Sequence, residues 1–287
     1  MTRRISPQSL LRGSIELITL PDVYFRVCEL IRDPEGSADD IAKVLSKDPA
    51  LSARLLRIVN SSYYGFQARI DTITRAVAVV GIIDLQKLVV TTSVIDTFRR
   101  IPQTLVDMTE FWMRSIQCGV IARLLAGEGR VLHEERLFMA GLLHDIGSLL
   151  MYAKMPDECK DVLLAAGGDR RLVAGLEQEL IGFTHADVGA ALMRQWGLPE
   201  SLQQAVGCHL APKSAEKYRL EAHLVFLAAR LCEVEMLGAS LSETLAEVPD
   251  DTLSVTGLTE NKILQTMTRV SDEFAAVFEV IFQQNVQ

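Results

Sequence analysis

The segment AGLLHDIGSLLMYA, Ala140–Ala153, places His144 and Asp145 side by side in an otherwise apolar run. Apolar residues surround almost every side of a helix drawn through residues 133–153, and a helix that is apolar all round is buried. Asp145 is therefore expected to be buried, where an ionised carboxylate needs a metal, a cationic side chain or several hydrogen-bond donors. The segment predicts one continuous helix with a polar site at its middle.

Helical patterns extend outward from this segment in both directions, and no convincing strand pattern interrupts them. Ser37 with Asp40, and Asp48 with Pro49, have the spacing of helix starts, and Gly65 is expected to close the helix after Asp48. The other helices are expected at about 71–80, 84–98, 104–126, 156–166, 170–181, 186–196, 200–209, 216–237 and from 259 onward. The predicted fold class is all-α.

Composition narrows the classes of function. The chain has 287 residues and a formal net charge of -8, with 49% hydrophobic residues. The first hundred residues are slightly basic and the rest is strongly acidic, which argues against a broad nucleic-acid surface. Apolar runs such as Ala76–Ile83 are far shorter than the ~18 residues that a membrane span needs. Five scattered cysteines without a CxxC pair are typical of reduced thiols in a cytoplasmic protein.

The sequence predicts a boundary at RRIPQT, residues 99–104, where Pro102 interrupts a helix and the charge balance changes sign. The predicted parts are an N-terminal arm or linker (1–14), an N-terminal helical subdomain (15–101), a helical core (102–240) and a C-terminal segment (241–287). The last helix repeats apolar residues at 263, 267, 270, 274, 277 and 281. This four-three spacing suits packing on its own domain or a homodimer seam, and both readings stay open.

The motif AGLLHDIGSLLM resembles the centre of the HD superfamily of metal-dependent phosphohydrolases. Over about residues 15–235 the chain resembles the HDOD domain family in particular. Its front half carries KDPALSARLLRIVNSSYYG and ITRAVAVVGIIDLQKLVV, and the later stretch ELIGFTHADVGAALMRQWGLPESLQQAVGCHL matches at Glu179, His185 and His209. The resemblance implies an HD-like helical bundle with an additional N-terminal helical subdomain.

The resemblance also implies a vestigial metal site, with His144, Asp145, His185 and His209 at the positions of ligands. Two ligands of the active relatives are missing: Arg114 aligns with an upstream histidine, and Ala229 or Arg230 stands where a final aspartate would fall. The lysine that follows the motif in those relatives is Ser148 here. Arginine only donates hydrogen bonds and cannot bind a metal. We therefore expect no catalytic residues and no cofactor, with a divalent metal at the vestigial site as the alternative.

Arg114 suggests what replaced the metal. It shares a helix face with Cys118, Ile121 and Leu125, which should point inward. We hypothesise a structural ion pair between Arg114 and Asp145, and a separation beyond about 6 Å would contradict it. The remaining histidines have simpler expected roles: His185 hydrogen-bonds near the start of its helix, His209 is a cation at a helix end, and His133 and His223 are surface or interface residues.

The resemblance implies a regulatory or output module of bacterial signal transduction, such as a two-component system. Such a module acts through contacts with signalling proteins, for example an upstream receiver or sensor domain. One alternative is a metal-dependent phosphodiesterase acting on a nucleotide or a cyclic dinucleotide. Another is a DNA-binding regulator, because TRAVAVVGIIDLQKLVVTTS looks superficially like a helix-turn-helix, although Lys87 is its only base near the second helix.

Overall fold

The computed structural model describes residues 6–12, 22–60, 64, 66–98, 105–129, 131 and 134–282. Every regular element within these ranges is a helix, so the predicted all-α fold class is confirmed. The α-helices are α1 (Pro7–Leu11), α2 (Asp22–Arg32), α3 (Ala38–Leu45), α4 (Pro49–Val59), α5 (Ile73–Val80), α6 (Ile82–Phe98), α7 (Met108–Glu128), α8 (Glu135–Leu143), α9 (Ile146–Lys154), α10 (Pro156–Ala166), α11 (Arg170–Leu180), α12 (His185–Gln195), α13 (Glu200–Gly207), α14 (Arg219–Leu237), α15 (Leu241–Ala246), α16 (Asp250–Thr256) and α17 (Glu260–Phe282). A short 3-10 helix spans Pro212–Ser214. None of these helices is long and apolar enough to cross a membrane.

Several helices begin at the side chains that the sequence indicated. Ser37 accepts a hydrogen bond from the backbone of Asp40 at the start of α3, and Asp48 caps α4 with Pro49 at its first position. Each such cap contributes about 1 kcal/mol of helix stability. The predicted closing residue of α4, Gly65, lies outside the described residues.

The chain divides into two compact units. The larger unit comprises Met1–Leu17 and Ile101–Val270, and the smaller unit comprises Ile18–Arg100 and Ser271–Gln287. One of the three points of division, between Arg100 and Ile101, falls within the stretch 99–104, whose residues lie outside those that the structure describes, and the other two follow Leu17 and Val270. The site around His144 and Asp145 belongs to the larger unit.

Residues 6–12 form a docked helix, although the sequence predicted an arm or linker there. Ser6 and Ser9 cap α1 reciprocally, and Leu10 and Leu11 are both 7% exposed. The helix contacts α12 and α9 of the larger unit. Burial of two leucines supplies the apolar contact that a five-residue helix needs to stay ordered.

In the smaller unit, α6 is a core helix. Most of its described apolar side chains are almost fully buried: Leu85, Leu88, Val89, Val90, Val94 and Phe98. It contacts α2, α4 and α5, and Gly81 makes the turn from α5 with φ +89°. The helix-turn-helix candidate is therefore a pair of packed bundle helices in this unit.

In the larger unit, close helix crossings position the site. A Cβ atom on Gly141 of α8 would lie 2.6 Å from the carbonyl oxygen of Cys118 on α7. A Cβ atom on Gly147 of α9 would lie 2.0 Å from the carbonyl oxygen of His185 on α12. Contacts this short between backbones are open only to glycine. They bring α7, α9 and α12 together around Asp145.

The C-terminal segment contains two short helices, α15 and α16, that the sequence did not predict. In α17, three apolar positions of the four-three repeat, Ile263, Met267 and Val270, are 0–9% exposed, and Val277 is 6% exposed. The chain itself covers these positions. Homodimerisation through this seam stays a prediction.

Candidate functional site

The His144–Asp145 pair lies at a break between α8 and α9, so the prediction of one continuous helix through residues 133–153 is wrong. Nδ1 of His144 lies 2.7 Å from the carbonyl oxygen of Gly141, where it competes with the backbone for the acceptor of the last turn. Asp145 leaves the helical conformation at φ -102° and ψ 10°, and it accepts a hydrogen bond from the Ser148 hydroxyl. The break is therefore built by the two polar side chains themselves.

Asp145 is the charged centre of the site and is only 4% exposed. Its Oδ2 accepts a hydrogen bond from Nη2 of Arg114 at 2.7 Å and another from Nη2 of Arg170 at 3.2 Å. Burial alone would raise the pKa of Asp145, but the charges of His185, Arg114 and Arg170 outweigh burial and hold this pKa well below its usual range. The Arg114–Asp145 separation lies well inside the 6 Å range of strong charge coupling.

Two guanidinium groups share this one carboxylate. Arg114 projects from α7 and its side chain is 11% exposed, while Arg170 is the first residue of α11 and its side chain is 35% exposed. Burial, followed by the neighbouring charge of Arg114, lowers the pKa of Arg170. Arginine nevertheless stays charged at neutral pH. The centre of the site thus holds two cations and one anion.

His185 pairs with a second buried carboxylate. Glu177 on α11 is 3% exposed, and its Oε2 accepts hydrogen bonds from the backbone nitrogen of His185 at 2.9 Å and from its Nδ1 at 2.7 Å. Burial would lower the pKa of His185, but the charge and hydrogen bond of Glu177 raise it. The family resemblance pointed to Glu179 instead. That residue is exposed, because two positions along a helix correspond to a rotation of about 200°.

His144 and His209 are neutral members of the site. The Nδ1 atom of each lies 2.7 Å from a carbonyl oxygen, that of Gly141 and that of Val206. A carbonyl only accepts hydrogen bonds, so Nδ1 carries the proton and Nε2 is left as an acceptor. Burial lowers the pKa of His144 to about 4 and the pKa of His209 well below its usual value. The predicted cationic His209 is therefore wrong, because desolvation outweighs the helix dipole.

The other two histidines lie away from this cluster. His223 was expected at a surface or interface, but it is fully buried, with Nδ1 3.0 Å from the hydroxyl of Thr252. The expected position is wrong because α14 packs on α16 along this side. His133 lies outside the described residues.

The two neutral histidines predict a pH dependence of stability. Below about pH 6.5 the unfolded chain protonates both, while the folded chain does not, so stability falls as the pH is lowered. Each histidine adds about 1.4 kcal/mol per pH unit between its unfolded and folded pKa values. His185, with its raised pKa, adds stability that is complete below about pH 6.5 and is lost only as the pH rises, so it adds no slope in the acid range.

The measurement is urea unfolding at pH 7 and pH 5 for the native chain and for His209→Gln. We expect the substitution to reduce the loss of stability between the two pH values, whatever it does to stability at pH 7. Equal pH slopes in the two proteins would show that His209 does not titrate as proposed.

A cavity of about 300 Å³ opens onto the site in the larger unit. One wall is polar and carries Arg114, His144, Asp145, Arg170, His185 and His209. The lining also includes apolar residues, among them Val173, Leu210, Phe226 and Ala229. Ser148, Arg171, Ala174, Arg230 and Glu233 complete the lining. The cavity is therefore lined by Arg114, Ala229 and Arg230. These are the positions that align with the missing ligands of the active relatives.

The four predicted ligand positions are brought together, but they do not fit a catalytic metal. The His209 ring lies 5.2 Å from that of His144 and 5.5 Å from that of His185, and Nε2 of His185 lies 3.9 Å from Asp145. Both oxygens of Asp145 already accept hydrogen bonds, and two guanidinium groups lie against one of them. Within the described residues, no three His, Cys, Asp or Glu side chains are arranged to hold a metal ion. A divalent cation here would face two fixed positive charges.

Two important residues were missed in the sequence. Arg170 lies in AGGDRR, which reads only as a glycine turn, and its distance from the motif along the chain gives no hint of contact. Glu177 could have been found, because it is the acidic position of α11 in register with the apolar residues Val173 and Leu176. A helical register count would have preferred it to Glu179.

An HDOD domain family model matches residues 17–212, more than half of the chain, and this protein therefore belongs to the HDOD domain family. The chain is also 28% identical over 205 residues to an uncharacterized protein of Treponema pallidum, a match that covers 70% of this chain and 39% of the relative. The chain thus spans about two fifths of the length of that relative.

Solved structures share the fold. An HDOD domain protein of unknown function from Geobacter sulfurreducens has a TM-score of 0.77 at 24% identity, over 96% of this chain and 98% of the other. A protein from Shewanella amazonensis, described as a candidate phosphohydrolase, has a TM-score of 0.73 at 25% identity, over 94% and 97%. The MmoQ response regulator of Methylococcus capsulatus has a TM-score of 0.50 at 22% identity, over 88% and 98%. The chain therefore shares the fold of these three proteins.

Proposed function

We propose that this chain is a regulatory module of bacterial signal transduction that acts through contacts with partner proteins and does not hydrolyse phosphate esters. The observation that carries the proposal is the pair of guanidinium groups on Asp145. They supply the positive charge that a metal supplies in an active HD site, and they occupy the carboxylate that would bind it. Metal-activated water needs open coordination positions around a firmly held ion.

Two further observations support this proposal. The fold is shared with a protein that is described as a response regulator. All five cysteines are unbridged, which suits a reducing, cytoplasmic location. The partner is proposed to be a signalling protein, such as a receiver or sensor domain.

Metal analysis together with a hydrolase assay tests the proposal. The purified full chain is stripped with EDTA, incubated with Mn²⁺ or Fe²⁺, desalted, and assayed for bound metal and for turnover of bis(p-nitrophenyl) phosphate and of a cyclic dinucleotide. We expect substoichiometric metal and rates equal to the buffer blank. Binding of about two metal equivalents, with turnover that His209→Ala abolishes, would instead identify a phosphodiesterase.

A further inference from the structure

The polar wall of the cavity carries more positive charge than its own carboxylates balance. Arg114 and Arg170 share a single oxygen of Asp145, while Glu177, which accepts a hydrogen bond from Nδ1 of His185, is not part of the cavity lining. Within the described residues, Asp145 is the only carboxylate within ion-pair distance of Arg170. The wall itself therefore has two guanidinium groups for one carboxylate, and the more distant charge of Glu110 also acts on Arg170.

The arginines at the cavity rim do not share this surplus. Arg171 is paired with Asp169 at 2.9 Å, and Arg230 is paired with Glu247 at 3.0 Å. Glu233, the other acidic lining residue, lies 3.7 Å from Arg230. The two rim arginines are therefore fully paired, with three carboxylates around them, and the arginine that shares its carboxylate with another arginine is the inner one, Arg170.

The two guanidinium groups of this wall also have N–H donors that make no hydrogen bond within the described residues. A guanidinium has five N–H groups in a planar fork that fits phosphate or carboxylate oxygens. Across the part of the chain that the structure describes, Arg114 and Arg170 each make one side-chain hydrogen bond, both to Asp145 through Nη2. Because both side chains line the cavity, their other N–H groups are donors that an oxyanion there would meet.

The rest of the cavity limits the size and chemistry of a ligand. Its volume of about 300 Å³ lies at the lower end of the range for small-molecule sites, which fits a mononucleotide or sugar phosphate better than a cyclic dinucleotide. Nε2 of His144 and of His209 are acceptors for ligand hydroxyl or amino groups. Phe226 and Leu210 add apolar surface to the lining of the same cavity.

We infer that this cavity binds a small phosphate ester directly, with its phosphate held by Arg170 and Arg114 and without a metal ion. A tetrahedral phosphate presents oxygens on several sides, so it can accept from two forks that converge from different helices. The inference rests on the proposed function, in which the site holds no catalytic metal. The ligand then serves as a signal that the module senses.

Isothermal titration calorimetry of the full chain in EDTA tests this inference, with inorganic phosphate, 5′-AMP, adenosine and acetate as probes. We expect saturable binding of phosphate, tighter binding of 5′-AMP, much weaker binding of acetate, and no binding of adenosine. Arg170→Ala should weaken 5′-AMP binding about tenfold or more, because charge-assisted hydrogen bonds are lost. Arg170→Lys keeps the charge but loses the fork, and should lie between the two.

The matched control is Arg194→Ala, which removes the same charge from an exposed position on α12 outside the cavity. It should bind 5′-AMP like the native chain. Circular dichroism of each variant establishes that the fold is retained. If Arg170→Ala does not fold, the Arg170→Lys result carries the test alone.

The outcomes separate the two proposals. No heat from phosphate or 5′-AMP up to about 10 mM overturns the inference but leaves the proposed function intact. Binding that Arg170→Ala leaves unchanged, or equal binding of acetate, also overturns it. Binding that requires Mn²⁺ overturns both, since the site would then be a metal centre.

Discussion

Substituting Asp145 with alanine is expected to lower the free energy of unfolding of the larger unit by about 3–5 kcal/mol. The substitution leaves Arg114, whose side chain is 11% exposed, without a counter-charge, and it also removes the partner of Ser148. Losing one member of a buried ion pair costs far more than the pair contributes, because the remaining charge stays desolvated. Arg170 is 35% exposed and can reach water, which limits the loss to this range.

Tryptophan fluorescence during urea unfolding measures this loss in the correct part of the chain. Both tryptophans, Trp112 and Trp196, lie in the larger unit and are 1% and 3% exposed. Asp161→Ala is the control, since Asp161 is an exposed carboxylate of the same unit and should change stability by less than about 0.5 kcal/mol.

A double variant separates charge from packing. Arg114→Met combined with Asp145→Leu removes both charges and restores apolar volume, so it should be more stable than Asp145→Ala. A double variant as unstable as Asp145→Ala would mean that the cost does not come from a stranded charge.

Substituting Gly147 with alanine is expected to destabilise the larger unit by about 3 kcal/mol, the upper end of the usual cost of overpacking. The added Cβ would lie 2.0 Å from the carbonyl oxygen of His185 and 2.7 Å from the backbone nitrogen of Gly189. Both obstacles are backbone atoms of α12, so no side-chain rotation relieves the contact. The helices must separate, and the Glu177–His185 hydrogen bonds would be strained with them.

The same substitution at Gly175 is the matched control. This glycine lies inside α11, and a Cβ there meets no atom within 4 Å. Gly175→Ala should therefore stabilise the unit by roughly 0.5–1 kcal/mol, because alanine favours the helix. We expect Gly147→Ala to lower the free energy of unfolding and Gly175→Ala to raise it, both measured by the same tryptophan fluorescence. If both were neutral, α9 and α12 would have to lie farther apart than described.

The charged centre could be predicted in part from the sequence, because the need of a buried carboxylate for a partner can be recognised from its immediate sequence neighbours. A carboxylate inside an apolar helical run must have a partner, and an arginine on an inward-facing helix side is a suitable one. The sequence alone therefore identifies Arg114 as a candidate partner. It does not identify Arg170, since the approach of that residue to Asp145 depends on how the hairpin of α10 and α11 packs, and nothing in the glycine-rich turn before it encodes that distance.

The break between α8 and α9 shows a different limit. Periodicity extends through it, no Pro interrupts it, and Gly141 and Gly147 lie on either side of the pair and not within it, so the sequence predicts continuity. The break arises because His144 and Asp145 bind local and distant groups more strongly than they support the helix. The short helices α15 and α16 were missed for the ordinary reason that six or seven residues give too little periodicity to recognise.

The docked helix α1 mechanically couples residues 6–12 to the site. Its residues Leu10 and Leu11 are buried, and the helix contacts α12, which begins at His185, and α9, which carries Ser148. A force applied at residues 6–12 therefore acts directly on these two helices and does not need to be transmitted through the smaller unit. A displacement of α1 is therefore expected to change the geometry around Asp145.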